Sequence, residues 1–538
     1  MEILMVVPKY KFTNEKNYDY YFPLGLAYIY STIKKAKYSI TCLNLNHMKG
    51  KTASLLNKEL DRKKYDVVCT GGNALAYSAI SLIFSVASQH ASKPLTILGG
   101  PIITSEPMLI MDLIKPNYGV LGEGEVTILE LLRAIKHKED LSKVDGIVYF
   151  DETGKIIITK SRDQIKDIST IPWPEFEEFG LSEQLDNMFC NFDVQTNAQD
   201  YPRLYQILGS RGCPFNCTFC WHDQKYRTRP IPEIMKELGE NVRKYKINIV
   251  HFLDECFSID PQRISEFCKG MKKLSEDVGY TIYWLTSLMV TSADKKLLDI
   301  MKDAGCFSLT YGFESYSPIV LKSMRKPITP QQIDKAFNLT MDAKINVMAN
   351  FILGDIAETP ETANETIDYL KAQGKGQIGL CFVQPYPGSE IYKYCLKNNI
   401  LKDRLSYIKN DMGSFNVVKI TPNFTDEQFE ALKKYEMYVI GHSYCFTKPI
   451  ALKKMKSKHK KRYEVTIKCP FCKEVQTYKN CRIPNKWLFG FLLVCRNCRM
   501  RFFVLSAAQK IAYEHYNISR RVRTFYKKIR NAVKRNFI

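Results

Sequence analysis

Three thiols lie four and three residues apart in Gly209-Ser210-Arg211-Gly212-Cys213-Pro214-Phe215-Asn216-Cys217-Thr218-Phe219-Cys220-Trp221. A loop of this length can wrap until its sulfurs converge on one metal centre. Three sulfur ligands on a four-iron cluster leave one iron open to a chelating small molecule, whereas ferredoxin-type carriers close every corner with four cysteines. The next cysteine along the chain is Cys256. Three buried thiols or a zinc site are the competing readings. Four further cysteines form two knuckles, Cys469-Pro470-Phe471-Cys472 and Cys495-Arg496-Asn497-Cys498, with 22 residues between them. Such a pair suits a closed tetrahedral zinc site, and in so small a module metal binding should drive folding. A second iron–sulfur cluster is the alternative there, and Cys481 between the knuckles reads as spare.

Several elements must position these groups. The 538 residues are 25% charged and 45% hydrophobic, ordinary values for a globular chain of several domains. Residues 1–140 alternate near-continuous apolar runs, such as Ile3–Val7, Asp66–Thr70 and Leu95–Leu98, with helical stretches. Parallel strands covered on both faces have this pattern, so a doubly wound α/β domain is expected. Its glycine turns, Gly71-Gly72, Gly99-Gly100 and Gly122-Glu123-Gly124, fall where such sheets bind ligands. A hairpin and linker are predicted over 141–203. Six strand–helix units over 204–400 are too few for a full eight-unit barrel, so a partial (βα)6 barrel is expected. A helical extension over 401–447, a basic linker over 448–463, a zinc-ribbon-like module over 464–506 and a basic amphipathic helix over 507–538 complete the expected α/β architecture.

The Cys-x3-Cys-x2-Cys loop, with an aromatic before its last cysteine, resembles the signature of the radical S-adenosylmethionine (SAM) superfamily. The resemblance implies a [4Fe–4S] cluster held by Cys213, Cys217 and Cys220, with SAM chelating the open iron. Reductive cleavage of SAM would release a 5′-deoxyadenosyl radical that abstracts hydrogen from substrate. It places Phe219 near the adenine, Asp254 and Glu255 near the SAM amino group, and Glu314 and Ser315 beside SAM. Joined to such a barrel, residues 1–140 resemble the cobalamin-binding domain of one radical SAM subgroup. Gly71, Gly72, Gly99, Gly100, Gly122 and Glu123 would then hold the corrin and its nucleotide tail. That family often carries Asp-x-His-x-x-Gly after its first strand; Pro8-Lys9-Tyr10-Lys11 stands there instead, and His47-Met48-Lys49-Gly50 reads as coincidence. The resemblance implies carbon methylation of an unidentified small-molecule or lipid substrate, fed by an electron donor such as flavodoxin or ferredoxin. A radical SAM oxidoreductase, cyclase or methylthiotransferase is the enzyme alternative, and an iron–sulfur nucleic-acid-binding protein the non-enzyme one.

Charge is distributed unevenly. Residues 448–538 hold 25 Lys/Arg against three acids, while the first 447 are balanced at 53 each. This basic module should meet an anionic partner, either nucleic acid or a membrane surface. Val522, Tyr526, Ile529 and Val533 recur at helical spacing there. The longest apolar run, Trp487–Cys495, is too short to span a bilayer, and Met1–Pro8 lacks signal-peptide features. A cytoplasmic protein, peripheral to the membrane at most, is expected.

Overall fold

The computed structural model describes residues 1–514 apart from 11–12, 192–195, 222–223, 258, 413–415 and 458. The first sheet contains β1 (Glu2–Val7), β2 (Ser39–Asn44), β3 (Val67–Gly71), β4 (Leu95–Gly99), β5 (Tyr118–Val120), β6 (Ile147–Phe150) and β7 (Ile156–Ile158) in the order 2-1-3-4-5-6-7. The first five are parallel, and their order reverses at β1, the switch point where open α/β sheets hold ligands. The hairpin expected beyond residue 140 exists as β6 and β7. It is not a separate unit: β6 adds antiparallel to β5 and extends the same sheet.

The second sheet is six-stranded and parallel: β8 (Leu204–Ile207), β11 (Ile249–Phe252), β12 (Tyr283–Ser287), β13 (Cys306–Glu314), β14 (Asn346–Leu353) and β15 (Ile378–Phe382). Their helices start where side chains can satisfy free N–H groups. Thr329 and Thr359 each close a reciprocal capping box, and Asp260 and Asp294 accept from the first turn. The outer faces of β13–β15, including Tyr311, Phe313, Phe351 and Leu353, are buried in the main core. The opposite faces of β14 and β15 expose Asn350 and Cys381, with Met348 of β14 and Thr310 of β13 half-buried. An apolar outer wall and an accessible polar inner wall give a chamber open to solvent. The remaining ribbon of this region pairs β9 (Ser210–Arg211) with β10 (Arg227–Thr228) and fastens the base of the cysteine loop.

Two three-stranded sheets form the C-terminal module: β17 (Pro449–Lys454) with β18 (Arg462–Lys468) and β19 (Val475–Arg482), and β16 (Phe446–Thr447) with β21 (Arg501–Leu505) and β20 (Gly490–Val494). The expected basic linker is therefore in part a strand. Strand β17 pairs antiparallel along β18, and its Lys453 and Lys454 are exposed. Of the expected basic helix, Ala507–Glu514 is helical; Val522, Tyr526, Ile529 and Val533 lie outside the described residues. No described helix is long and apolar enough to cross a membrane.

Candidate cofactor cavity and four-cysteine centre

A cavity of about 420 Å³ lies between the carboxyl ends of β1, β3, β4 and β5 and the top of the barrel. Gly71, Gly72, Gly99, Gly100, Gly122 and Glu123 line it on one side, and Leu208, Ser210, Arg211, Gly212 and Glu255 on the other. The glycines serve two purposes. A side chain on Gly71 would strike the Gly99 carbonyl oxygen at 2.7 Å, so this pair lets two strand ends approach closely. Side chains on Gly25, Gly99 and Gly122 would meet nothing within 4 Å; their absence leaves the floor open for a broad, flat ligand. The cavity thus fits a corrin-binding edge. Tyr10 also lines it and stacks on Tyr20, with centroids 5.3 Å apart. His47 is packed elsewhere: buried, 2.8 Å from the Tyr20 hydroxyl and 3.2 Å from Glu183, with burial lowering its imidazole against the opposing pull of Glu183.

The cysteine loop leaves the carboxyl end of β8. Gly212 makes its turn with φ +74°, where a Cβ would collide with the Gln224 and Lys225 carbonyls at 2.5 Å. The loop is then pinned from two sides: Thr218 N–H donates to the Met324 carbonyl and Ile391 N–H to the Thr218 carbonyl, both at 3.1 Å. Cys217 is buried, Cys213 half-buried and Cys220 exposed. Burial pushes the Cys220 thiol up to about 12, and Cys213 and Cys217 are close enough to add to that shift, as are Glu255 and Glu314. The three thiols are therefore mutual neighbours within one loop, with Cys217 also sensing the Lys326 ammonium. This grouping fits a cluster with an open corner. Cys256 is buried nearby, and its thiol is raised by burial and by Cys213.

The remaining expected SAM-pocket residues divide by what holds them. Glu255 is exposed and lines the cavity. Glu314 ends β13 at φ +60°, a strained conformation for a non-glycine, and pairs with Lys326 at 2.9 Å. Burial would lower the Lys326 ammonium, but Glu314 and the neighbouring thiols raise it. Asp254 departs from expectation: its two oxygens accept from Gly209 N–H and Ser210 Oγ, each at 2.8 Å, and it is a strut beneath the loop. Burial raises its carboxyl to about 7. Ser315 is likewise committed, 3.1 Å from Thr366 Oγ1 and accepting from Ser317 N–H at 3.1 Å. Glu123 lines the cavity while its carboxylate is also held by neighbouring donors. It accepts from Arg211 at 2.9 Å, Arg227 at 2.8 Å and Ile165 N–H at 2.8 Å. Burial alone would raise its carboxyl; those three donors hold it below the usual carboxylate range. Phe219 is half-buried against the core that holds Ile391 and Tyr392.

Sequence reasoning missed Arg211, which joins Glu123 and Glu125 and lies 5.4 Å from the centre of the Tyr28 ring. Its place two residues before Cys213 was the available signal. It also missed His251, in register with Gln206 on the inner wall and 6.0 Å from the Tyr21 ring. Among the described residues His251 Nδ1 has no hydrogen-bond partner, and burial pushes the imidazole down to about 4. Because its native value lies below the unfolded 6.5, the unfolded chain binds the proton first. The stability His251 supplies is complete above about pH 6.5 and lost towards pH 4. Urea denaturation at stepped pH should show His251→Gln flattening that slope by at most about 3 kcal/mol; parallel profiles for the two proteins would refute the assignment.

At the other end of the barrel, Cys469, Cys472, Cys495 and Cys498 place their sulfurs within 4.8 Å of one another. Cys469–Cys498 and Cys472–Cys495 are 3.8 and 3.6 Å apart. A tetrahedron with Zn–S bonds of about 2.3 Å requires about 3.8 Å. Lys473 and Arg499, each following a knuckle, take positive φ so that the chain can turn around the centre. The module is latched to the barrel base: the Arg499 guanidinium lies 4.9 Å from the Phe307 ring, and Asn346 Nδ2 donates to the Arg499 carbonyl at 3.0 Å. From Phe307 to Glu314 is seven strand residues, about 23 Å. The four-cysteine centre and the cysteine loop are therefore separate sites.

Comparison with known proteins agrees with this geometry. The radical SAM superfamily model matches residues 207–370. An uncharacterized methyltransferase of Pyrococcus horikoshii is 27% identical over 420 residues, covering 76% of this chain and 85% of that one. The anaerobic magnesium-protoporphyrin IX monomethyl ester cyclase of Rubrivivax gelatinosus is 24% identical over 477 residues, 83% and 82% of the two chains. The structure of the radical SAM methyltransferase TsrM from Kitasatospora setae, with cobalamin and a [4Fe–4S] cluster bound, superposes with a TM-score of 0.63. It is 15% identical and covers 82% of this chain and 89% of that one. With its thiol loop at the mouth of a six-stranded parallel barrel and the family match over residues 207–370, this chain is similar to radical SAM enzymes in sequence and fold.

Proposed function

We propose that the protein is a cobalamin-dependent radical SAM methyltransferase acting on carbon in a small molecule. The observation that carries this reading is the shared cavity, walled by the open glycine edge of one domain and by Ser210–Gly212 and Glu255 of the other. The Pyrococcus and Kitasatospora similarities support it. When bound, the cluster and SAM supply a 5′-deoxyadenosyl radical and cobalamin a transferable methyl group.

The chain's residues have distinct tasks in this reading. Cys213, Cys217 and Cys220 hold the cluster, and Asp254 fixes the loop from below through Gly209 and Ser210. Glu255 and the Glu314–Lys326 pair present charged groups to the polar end of SAM. Gly25, Gly99 and Gly122 make room for the corrin, and Tyr10 lines the same cavity just after the first strand. The inner wall, with His251, Asn350 and Cys381, receives the substrate. A flavodoxin- or ferredoxin-type protein supplies the electron. Anaerobic protein reconstituted with iron, sulfide and cobalamin is expected to retain both iron and cobalt through gel filtration. It should also form 5′-deoxyadenosine and S-adenosylhomocysteine. Iron without cobalt would overturn the cobalamin assignment. The likeness to the Rubrivivax cyclase supports a second reading, ring closure on the same scaffold; a labelled SAM methyl group would then be absent from product.

The four-cysteine centre is assigned to structural zinc. Cys495→Ser is expected to release the metal and unfold residues 446–505, since such sites contribute about 10 kcal/mol or more. Limited proteolysis should cut this module while the barrel stays intact. An unchanged digestion pattern would refute a zinc-dependent fold.

A further inference from the structure

We infer that the C-terminal module docks on an anionic lipid surface through the tip of its loop 484–488, with Trp487 and Leu488 entering the lipid interface. Trp487 is 73% exposed and Leu488 53%, adjacent at the end of a loop between β19 and β20. Two neighbouring large apolar side chains at a loop tip are costly to leave in water unless something covers them. The Lys486 ammonium lies 4.9 Å from the Trp487 ring centre, placing a cation beside the apolar tip. Indole beside ammonium suits the boundary between headgroups and acyl chains.

The module that carries this loop is strongly basic in sequence, with 25 Lys/Arg against three acids over residues 448–538. Phe489 N–H donates to Ser506 Oγ at 3.2 Å and Ser506 N–H to the Phe489 carbonyl at 3.0 Å. Helix Ala507–Glu514 therefore starts beside the loop, and its Ile511 is 59% exposed. The chain continues from that helix into a sequence with eight Lys/Arg and no acid over residues 515–538. Each basic group near an anionic leaflet adds about the same modest attraction, and many together are strong at low salt. Leu488 and Ile511 offer neither charge nor a π face, so the tip suits lipid better than a nucleic acid. Because the module packs on the barrel base, docking leaves the cavity at the far end uncovered.

The test uses the full-length reconstituted protein with two vesicle types, phosphatidylcholine alone and phosphatidylcholine mixed with phosphatidylglycerol. Co-sedimentation is expected with the mixed vesicles only, weakening as salt rises, with a blue shift of tryptophan emission. Trp487→Ala/Leu488→Ala should weaken binding on the order of tenfold or more and abolish the blue shift. It should leave zinc content and 5′-deoxyadenosine formation unchanged. Lys486→Glu in the otherwise intact protein should weaken binding but keep the blue shift at low salt. Equal binding of wild type and the double variant would overturn insertion. Equal binding to both vesicle types, or no vesicle binding with tight salt-sensitive RNA binding instead, would overturn the lipid assignment.

Discussion

Cys217→Ala eliminates 5′-deoxyadenosine formation, the largest effect expected of any single substitution in this protein. The loop offers three sulfurs, and Cys217 is the central and most buried of them, with its Sγ 3.9 Å from the Arg325 carbonyl. Two remaining ligands cannot hold a four-iron cluster while leaving a corner for SAM. The measurement pairs iron content with chromatographic detection of 5′-deoxyadenosine after reduction by dithionite. Both should fall to background, while thermal unfolding of the barrel changes little because the loop is anchored by backbone bonds from Thr218. Cys256→Ala is the control. Cys256 lies outside the loop and should leave iron and cleavage in place. Undiminished cleavage in Cys217→Ala would remove the enzymatic reading at its root.

Arg211→Met should cost about 3 kcal/mol and loosen the two domains from each other. Arg211 bridges Glu123 and Glu125 at the cavity wall, and the three side chains are 13%, 4% and 8% exposed. Removing one member of a buried ionic group strands the others without compensation, which is far more damaging than losing a surface pair. Arg227 continues to serve Glu123, so the stranded carboxylate is chiefly Glu125. Chemical denaturation should show the loss, and cobalamin added during reconstitution should wash out more readily. Arg211→Met combined with Glu125→Gln should recover part of the stability, because the second change removes the uncompensated charge. Additive losses in the double variant would show that the network contributes packing alone.

The local features of this protein were legible in its residues because backbone geometry alone enforces them. The near-continuous apolar runs at Ile3–Val7, Asp66–Thr70 and Leu95–Leu98 suit parallel strands buried on both faces, and strands form there. The knuckle spacing brings four sulfurs to metal-binding distance without reference to the rest of the chain. The glycine pairs marked the ligand edge of the sheet.

The sequence by itself determined the thiol loop, the parallel strands of both large sheets and the four-cysteine centre, since each follows from spacing within a short window. Only the tertiary structure decided which polar groups are free to act. Glu123 lines the cavity but is also tied to Arg211, 88 residues away, and Asp254 is held by Gly209 and Ser210 across adjacent strands. His251 became notable only when β11 turned it to the barrel interior beside Tyr21. A buried charge must find a partner wherever the fold supplies one, and that partner's position along the chain is set by packing rather than by proximity in sequence.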